Sequence, residues 1–145
     1  MVLAALKSEF VNEDDFPHEI KYMGIGKINA ARATTQLILQ EKPDLIINVG
    51  TAGALSKSMS EIYIVNEVIE HDMNAEPLAK RGTVPFDNSD STFKSDIGDT
   101  KCATGDSFIT RIDPWLLNEK VNLVDMELFA IRSEEHTSEL QSRET

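Results

Sequence analysis

Four polar spots stand where apolar runs end: Ser8-Glu9, Thr51, Asp106-Ser107, and Asp125 with Glu127. Carboxylates gathered at strand ends can do acid–base work, accepting a hydrogen bond from water or stabilising positive charge as it develops. Each spot also has a plain structural reading. Taken alone, Glu9 reads first as a solvated residue opening a helix, and Glu127, in a first helical turn, is favoured by the helix dipole in any case. His71-Asp72 offers an oriented imidazole or, given its place at a strand end, a surface pair. Gly24-Ile25-Gly26-Lys27 looks like a phosphate cradle at a helix start, but no third glycine completes a dinucleotide fingerprint and no Walker lysine pattern follows. Its structural role is a tight turn between strand and helix. Cys102 is the single cysteine, it falls inside an expected strand, and no Gly-x-Ser-x-Gly turn is present. Covalent catalysis by serine or cysteine, a disulfide framework and a cysteine-based zinc cluster therefore have little support.

The element that must position these groups is the apolar run at residues 45–49, opening into Gly50-Thr51-Ala52-Gly53-Ala54. Such a run is expected for a strand covered on both faces. Small residues after it let a ligand approach the backbone, and open α/β sheets bind ligands where strands end. A bare turn is the other reading of the same segment.

Around it, residues 2–6 read as a buried strand, 7–9 as a polar turn and 10–17 as an acidic loop. Residues 18–23 alternate like a strand and close on Gly24-Ile25-Gly26. From Lys27 the period changes: Ile28, Ala31, Thr35 and Ile38 share a helical face, widened by Leu37 and Leu39, until Pro43 stops the helix. Strand, turn, helix and strand make a β-α-β unit. Residues 61–69 read as another strand and 74–95 as a long loop, which in a compact domain is usually functional or mobile. Residues 101–109 return to a strand, Asp113-Pro114 caps a short helix, 121–124 form a strand, and a helix begins near Asp125.

The 145 residues suffice for one domain. A formal charge of −11 argues against nucleic-acid and anionic-membrane partners, whose phosphates need lysine and arginine. No run is long enough to span a bilayer, and the short N-terminal apolar stretch lacks a basic leader, so cytoplasmic residence is the default. Residues 132–145 have no aliphatic stripe with which to bury a helix face. Arg132-Ser133-Glu134-Glu135-His136-Thr137-Ser138-Glu139-Leu140-Gln141-Ser142 resembles one reading frame of a common short-read sequencing adapter. On that likeness residues 1–131 are an incomplete domain and 132–145 a non-native or disordered tail; a genuine acidic tail is the alternative.

Six blocks in order resemble the purine nucleosidase and phosphorylase superfamily, nearest its methylthioadenosine/S-adenosylhomocysteine nucleosidase branch. They are Ala5-Leu6-Lys7-Ser8-Glu9, Gly24-Ile25-Gly26-Lys27-Ile28-Asn29-Ala30-Ala31, Ile46-Ile47-Asn48-Val49-Gly50-Thr51-Ala52-Gly53, His71-Asp72-Met73-Asn74-Ala75, Thr104-Gly105-Asp106-Ser107-Phe108-Ile109 and Val124-Asp125-Met126-Glu127. The resemblance implies a three-layer α/β/α nucleoside phosphorylase/hydrolase-like fold with a mixed central sheet, C-terminally truncated. By the same resemblance Glu9 is the carboxylate that activates water, Glu127 binds the ribose hydroxyls and Met126 packs beside the sugar. Phe108 and Ile109 bind the purine, and Thr51, Ala52 and Gly53 line the sugar and water site.

Two departures accompany the match: the segment from Glu9 to Gly24 is shorter than usual, and Thr51 stands where serine is common. The family's leaving-group acid lies on a later Ser-Asp motif with no counterpart before Ile131, so the chain as written is expected to be inactive. The implied reaction is hydrolysis of a purine nucleoside or thionucleoside without metal or organic cofactor, by a protein that is a homodimer at full length. Phosphorolysis, which would need Lys7, Lys27 or Arg32 for phosphate, and non-catalytic nucleoside binding remain as alternatives.

Overall fold

Alternating burial organises the first layer. In the computed structural model, which describes residues 1–10, 12–56 and 62–143, strand β1 (Val2–Ala4) turns Leu3 to one face and Val2 and Ala4 to the other. It lies between β2 (Ile20–Tyr22) and β3 (Ile47–Asn48) in a parallel three-stranded sheet. Helix α1 (Lys27–Glu41) connects β2 to β3, as the β-α-β pattern predicts. It ends at Lys42, whose φ of 45° turns the chain left-handed while its N–H bonds the Ile38 carbonyl, and Pro43 bars continuation.

The second sheet holds β4 (Gly53–Ala54), β5 (Val65–Glu70), β6 (Thr92–Lys94), β7 (Thr100–Thr104) and β8 (Leu123–Asp125), in the order β4-β8-β7-β5-β6. Its core β5-β7-β8 is parallel, and β4 and β6 are antiparallel edges. Short α2 (Pro114–Asn118), capped by Asp113 as its sequence predicts, lays Leu116 and Trp115 against Ile69 and Ala103. On the other face α3 (Leu128–Arg143) brings Phe129 to Phe93, ring centroids 5.2 Å apart. Helices α1 and α3 meet over β1, where Leu3, Met23, Ala30, Ala130 and Ile131 form one cluster. Phe10 and Phe16 close the opposite face of β1. The fold is thus mixed α/β, with helices on both faces of parallel and antiparallel strands.

The expected mixed α/β architecture is present, its strands hydrogen-bonded as two sheets of three and five. Several other expectations need correction. The run at 45–49 is not covered on both faces: among the described residues β3 pairs with β1 alone, and Leu45 is 61% and Ile47 45% exposed. The buried stripe of α1 keeps Ala31 and Leu37 but centres on Ala30 and Thr34, with Ala33 beside them, because small side chains let the helix approach β1. Ile28 is 81% exposed. β6 lies inside the stretch expected to be loop, and β5 begins four residues later than expected; Glu61, where that strand was to start, lies outside the described residues. The segment after Ile131, expected to bury no helix face, continues α3, with residues 132–136 half-buried and Glu134 accepting a hydrogen bond from Thr35 Oγ1 at 2.6 Å. Among the described residues no helix is long and apolar enough to cross a membrane.

Candidate functional site

Parallel strands bring their carboxyl ends to one edge, so polar residues that follow them in sequence are gathered in space. After β1 a single turn at Lys7–Glu9 folds the Glu9 carboxylate back on the chain. Its Oε2 accepts from the Ala5 and Leu6 amides at 3.1 and 3.0 Å. Its Oε1 accepts from the Thr51 amide at 3.0 Å and the Thr51 hydroxyl at 2.9 Å. Gly50 permits this approach, since a Cβ there would stand 3.2 Å from Oε1. Burial pushes the Glu9 carboxyl up, but the four donors outweigh it and hold the group below the ordinary glutamate value.

Glu127 follows β8. Asp125 fixes its backbone: Oδ2 accepts from the Glu127 and Leu128 amides at 3.1 and 2.7 Å, and Oδ1 from the Thr104 hydroxyl at 2.5 Å. Asp125 is therefore the cap of α3. The Glu127 carboxylate crosses to α1 and accepts from the Gly26 amide at 2.9 Å. Burial raises its pKa; the Gly26 bond opposes this, while the charges of Asp125 and Glu9 add to it. Glu9 and Glu127 are thus close enough to feel one another, and their environments push them in opposite directions.

The Gly24-Ile25-Gly26-Lys27 turn is no vacant phosphate cradle. Its two free amides hold carboxylates: Gly26 N–H bonds Glu127, and Lys27 N–H bonds Asp106 Oδ1 at 2.8 Å. Lys27 Nζ meets Glu70, Asp72 Oδ1 at 2.6 Å and Asp106 Oδ2 at 4.0 Å. Burial lowers its pKa, but Asp72 and Glu70 prevail and raise it. This grouping is not legible as a unit in the sequence, although Lys27, Asp72 and Asp106 each stand at a strand end or glycine turn. His71 is no surface residue: it is 3% exposed, its ring fills the space where Gly105 lacks a Cβ, and Nε2 has no hydrogen-bond partner among the described residues.

The remaining site residues are placed less uniformly. Thr51 and Ala52 are exposed in the loop beside Glu9. Gly53 pairs with Val124, and a Cβ would lie 2.9 Å from Val124 Cγ2, so its smallness has a packing reason. Met126 is half-buried between Asp125 and Glu127. Ile109 packs into the α2 cluster, whereas Phe108 is 83% exposed. The carboxylate side of the site is assembled more fully than its aromatic side. Cys102 is buried in β7, which raises its thiol pKa and makes it a poor nucleophile. Among the described residues no group of three or more histidine, cysteine, aspartate or glutamate side chains is arranged to hold a metal ion.

Known proteins share both sequence and fold with this chain. A 5'-methylthioadenosine/S-adenosylhomocysteine nucleosidase of Staphylococcus haemolyticus (strain JCSC1435) is 36% identical over 132 residues, covering 74% of this chain and 57% of that protein. One from Staphylococcus aureus (strain MRSA252) is 46% identical over 69 residues, 46% of this chain and 30% of that protein. The chain spans about half, or less, of the length of the curated relatives it matches. Among solved structures, the futalosine hydrolase of Helicobacter pylori strain 26695 superposes with a TM-score of 0.81 at 18% identity, over 94% of this chain and 78% of that one. The Neisseria meningitidis 5'-methylthioadenosine/S-adenosylhomocysteine nucleosidase in complex with methylthio-immucillin-A gives 0.76 at 22% identity, over 95% and 79%. The sequence model of the Phosphorylase superfamily matches residues 20–131, from β2 through the first turn of α3, including Glu127 but not Glu9, and the chain belongs to that superfamily.

Proposed function

We propose that this protein hydrolyses the N-glycosidic bond of a purine nucleoside or thionucleoside of the methylthioadenosine/S-adenosylhomocysteine type, releasing base and sugar. The observation that carries the reading is the pair Glu9 and Glu127, each following a parallel strand and held by backbone amides, Glu9 by Ala5, Leu6 and Thr51 and Glu127 by Gly26, with the first pushed below and the second above the ordinary glutamate value. Cleavage builds positive, oxocarbenium-like charge on the ribose. Glu127, beside Met126, faces the sugar hydroxyls and stabilises that charge. Glu9, held ionised, accepts a hydrogen bond from water and steers it to the anomeric carbon. The bond from that carbon to the purine nitrogen breaks with its electron pair leaving on the base, which takes a proton from solvent, while the attacking water gives its proton to solvent. A low pKa makes it a weak base, which suffices when the electrophile is already cationic. Thr51, Ala52 and Gly53 line the water side, and Phe108 and Ile109 contact the purine. The nucleosidase relatives support this substrate class.

Phosphorolysis is less well supported by the same geometry. Lys7 pairs with Glu13 at 3.0 Å, Lys27 is committed to carboxylates, and Arg32 is exposed on α1. The purified chain incubated with 5'-methylthioadenosine and with S-adenosylhomocysteine, with and without phosphate, tests the proposal by adenine release. Equal release in both buffers is expected. Strict phosphate dependence would overturn hydrolysis, and saturable binding without release would favour a non-catalytic nucleoside-binding role. Cytoplasmic residence and a homodimeric assembly belong to the same proposal.

A further inference from the structure

We propose that Lys27 is a positioning residue that locks the purine-side turn, Asp106 to Phe108, onto the first turn of α1 and so fixes its distance from Glu127. The inference rests on the nucleosidase reading and deepens it. Lys27 is the first residue of a 15-residue helix, where a cation opposes the helix dipole. Helix stability does not explain a lysine there. Its partners do.

Asp106 is gripped three ways. Its Oδ1 accepts from the Lys27 amide at 2.8 Å, its Oδ2 stands 4.0 Å from Lys27 Nζ, and its own N–H donates to Asp72 Oδ2 at 2.7 Å. Asp72 is itself paired with Lys27 Nζ at 2.6 Å, and the buried Glu70 shares the same ammonium. One cation therefore gathers three carboxylates from the ends of β5 and β7. Without it, Glu70 and Asp72 would be left with uncompensated charge in a part-buried site, and Asp106 would be repelled rather than docked. The amide next to that of Lys27, on Gly26, holds Glu127 at 2.9 Å. Adjacent amides of one turn thus yoke the ribose carboxylate and the purine-side turn together. Because the Gly26 bond does not involve the Lys27 side chain, losing the ammonium should release the purine side and leave the ribose side in place.

Lys27→Met, Lys27→Arg, Asp106→Asn and the double variant Lys27→Met/Asp106→Asn test this, with kcat and KM for 5'-methylthioadenosine and calorimetric Kd for the same nucleoside. Asp106→Asn keeps an oxygen for the Lys27 amide and removes only the charge facing Nζ. Expected are a rise of about tenfold in KM and Kd for Lys27→Met with kcat within about threefold of wild type, and substantial recovery in Lys27→Arg. The double variant should be less impaired than the product of the single effects, since both act through one contact. A fall in kcat at unchanged KM, or fully multiplicative effects, would overturn the proposal. Should Lys27→Met fail to fold by circular dichroism, Asp106→Asn decides alone: unchanged KM and Kd would overturn it. Absence of wild-type turnover with retained binding would defeat the nucleosidase reading while the Kd comparison still judges Lys27; absence of both would overturn the two together.

Discussion

Thr51 donates twice to one oxygen of Glu9, through its amide at 3.0 Å and its hydroxyl at 2.9 Å, across a sequence separation of 42 residues. With the Ala5 and Leu6 amides on the other oxygen, the carboxylate has as many donors as it has lone-pair sites. A water that Glu9 is to steer must therefore share or displace one donor. The Thr51 hydroxyl, the only one of the four that can rotate, is the donor able to yield.

Thr51→Val removes that hydroxyl and keeps the amide bond. Glu9 should then titrate higher, nearer the ordinary glutamate range, while Thr51→Ser should titrate like wild type; carbon-detected NMR of the Glu9 carboxyl reads the midpoint. Glu9 is a depressed acid, so its stabilisation is present above the unfolded value of about 4.3 and is lost as pH falls through the folded one. Thr51→Val narrows that window. Because Thr51 is exposed, the stability cost at neutral pH should be about 1 kcal/mol or less. An unmoved Glu9 midpoint in Thr51→Val would show that the hydroxyl contributes nothing.

Glu127→Gln separates function from stability. The amide oxygen can still accept from Gly26 N–H, but the charge that the proposed hydrolysis sets against the ribose is gone. Turnover should drop by about 100-fold or more, as for removal of a transition-state electrostatic partner. Glu127 has a raised folded pKa, so its contribution to stability is full below its unfolded value and diminishes as pH rises through the folded one. At neutral pH the variant should accordingly be as stable as wild type or more so in urea titrations. Near-normal adenine release from a folded Glu127→Gln protein would sink the site assignment.

What could be read from sequence follows the range of the forces involved. The unit β2–α1–β3 was legible because the change of hydrophobic period and the stop at Pro43 are local signals. The exposure of Leu45 and Ile47 was not, since an apolar run looks the same in an edge strand and a central one, and only topology distinguishes them. The centre of the α1 stripe was misplaced because Ala30 and Thr34 carry too little hydrophobicity to outweigh Ile28, although close packing selects them. Glu9 and Glu127 stand out in the sequence by their strand-end positions together with the family resemblance. The set Lys27, Glu70, Asp72 and Asp106 was missed as a group because its members come from three separate segments, and no spacing rule connects them.

His71 is a buried imidazole whose pKa burial lowers, against the charge of Asp72, which raises it. The unfolded chain binds the proton at about pH 6.5, so stability is full above that value and is lost as pH falls toward and through the folded pKa. Urea unfolding at pH 7.5 and 5.5 should show wild type losing more stability on acidification than His71→Gln. Equal losses in the two proteins would mean that His71 stays neutral or charged alike in both states.

Gly105 is the counterpart of that buried ring. A Cβ at position 105 would stand 2.3 Å from His71 Cε1 and 2.4 Å from Nε2, well inside contact distance. The backbone that carries the ring is fixed and the ring itself is buried. His71 N–H bonds the Thr104 carbonyl at 2.9 Å, and its own carbonyl accepts from Arg81 Nε at 2.8 Å. Arg81 in turn pairs with Asp113 at 2.5 Å and stacks 4.4 Å from the Trp115 ring centroid. Gly105→Ala should therefore behave as overpacking of a rigid site and destabilise by about 1–3 kcal/mol, lowering the urea midpoint at unchanged slope. Gly53→Ala should cost less, because the atom it meets is a methyl of Val124 beside an exposed edge strand. Adding His71→Ala to Gly105→Ala should recover part of the loss, since the vacated ring leaves room for the new methyl. A Gly105→Ala protein within about 0.5 kcal/mol of wild type would show that His71 moves aside freely, and the packing that holds the start of the purine-side turn would have to be sought elsewhere.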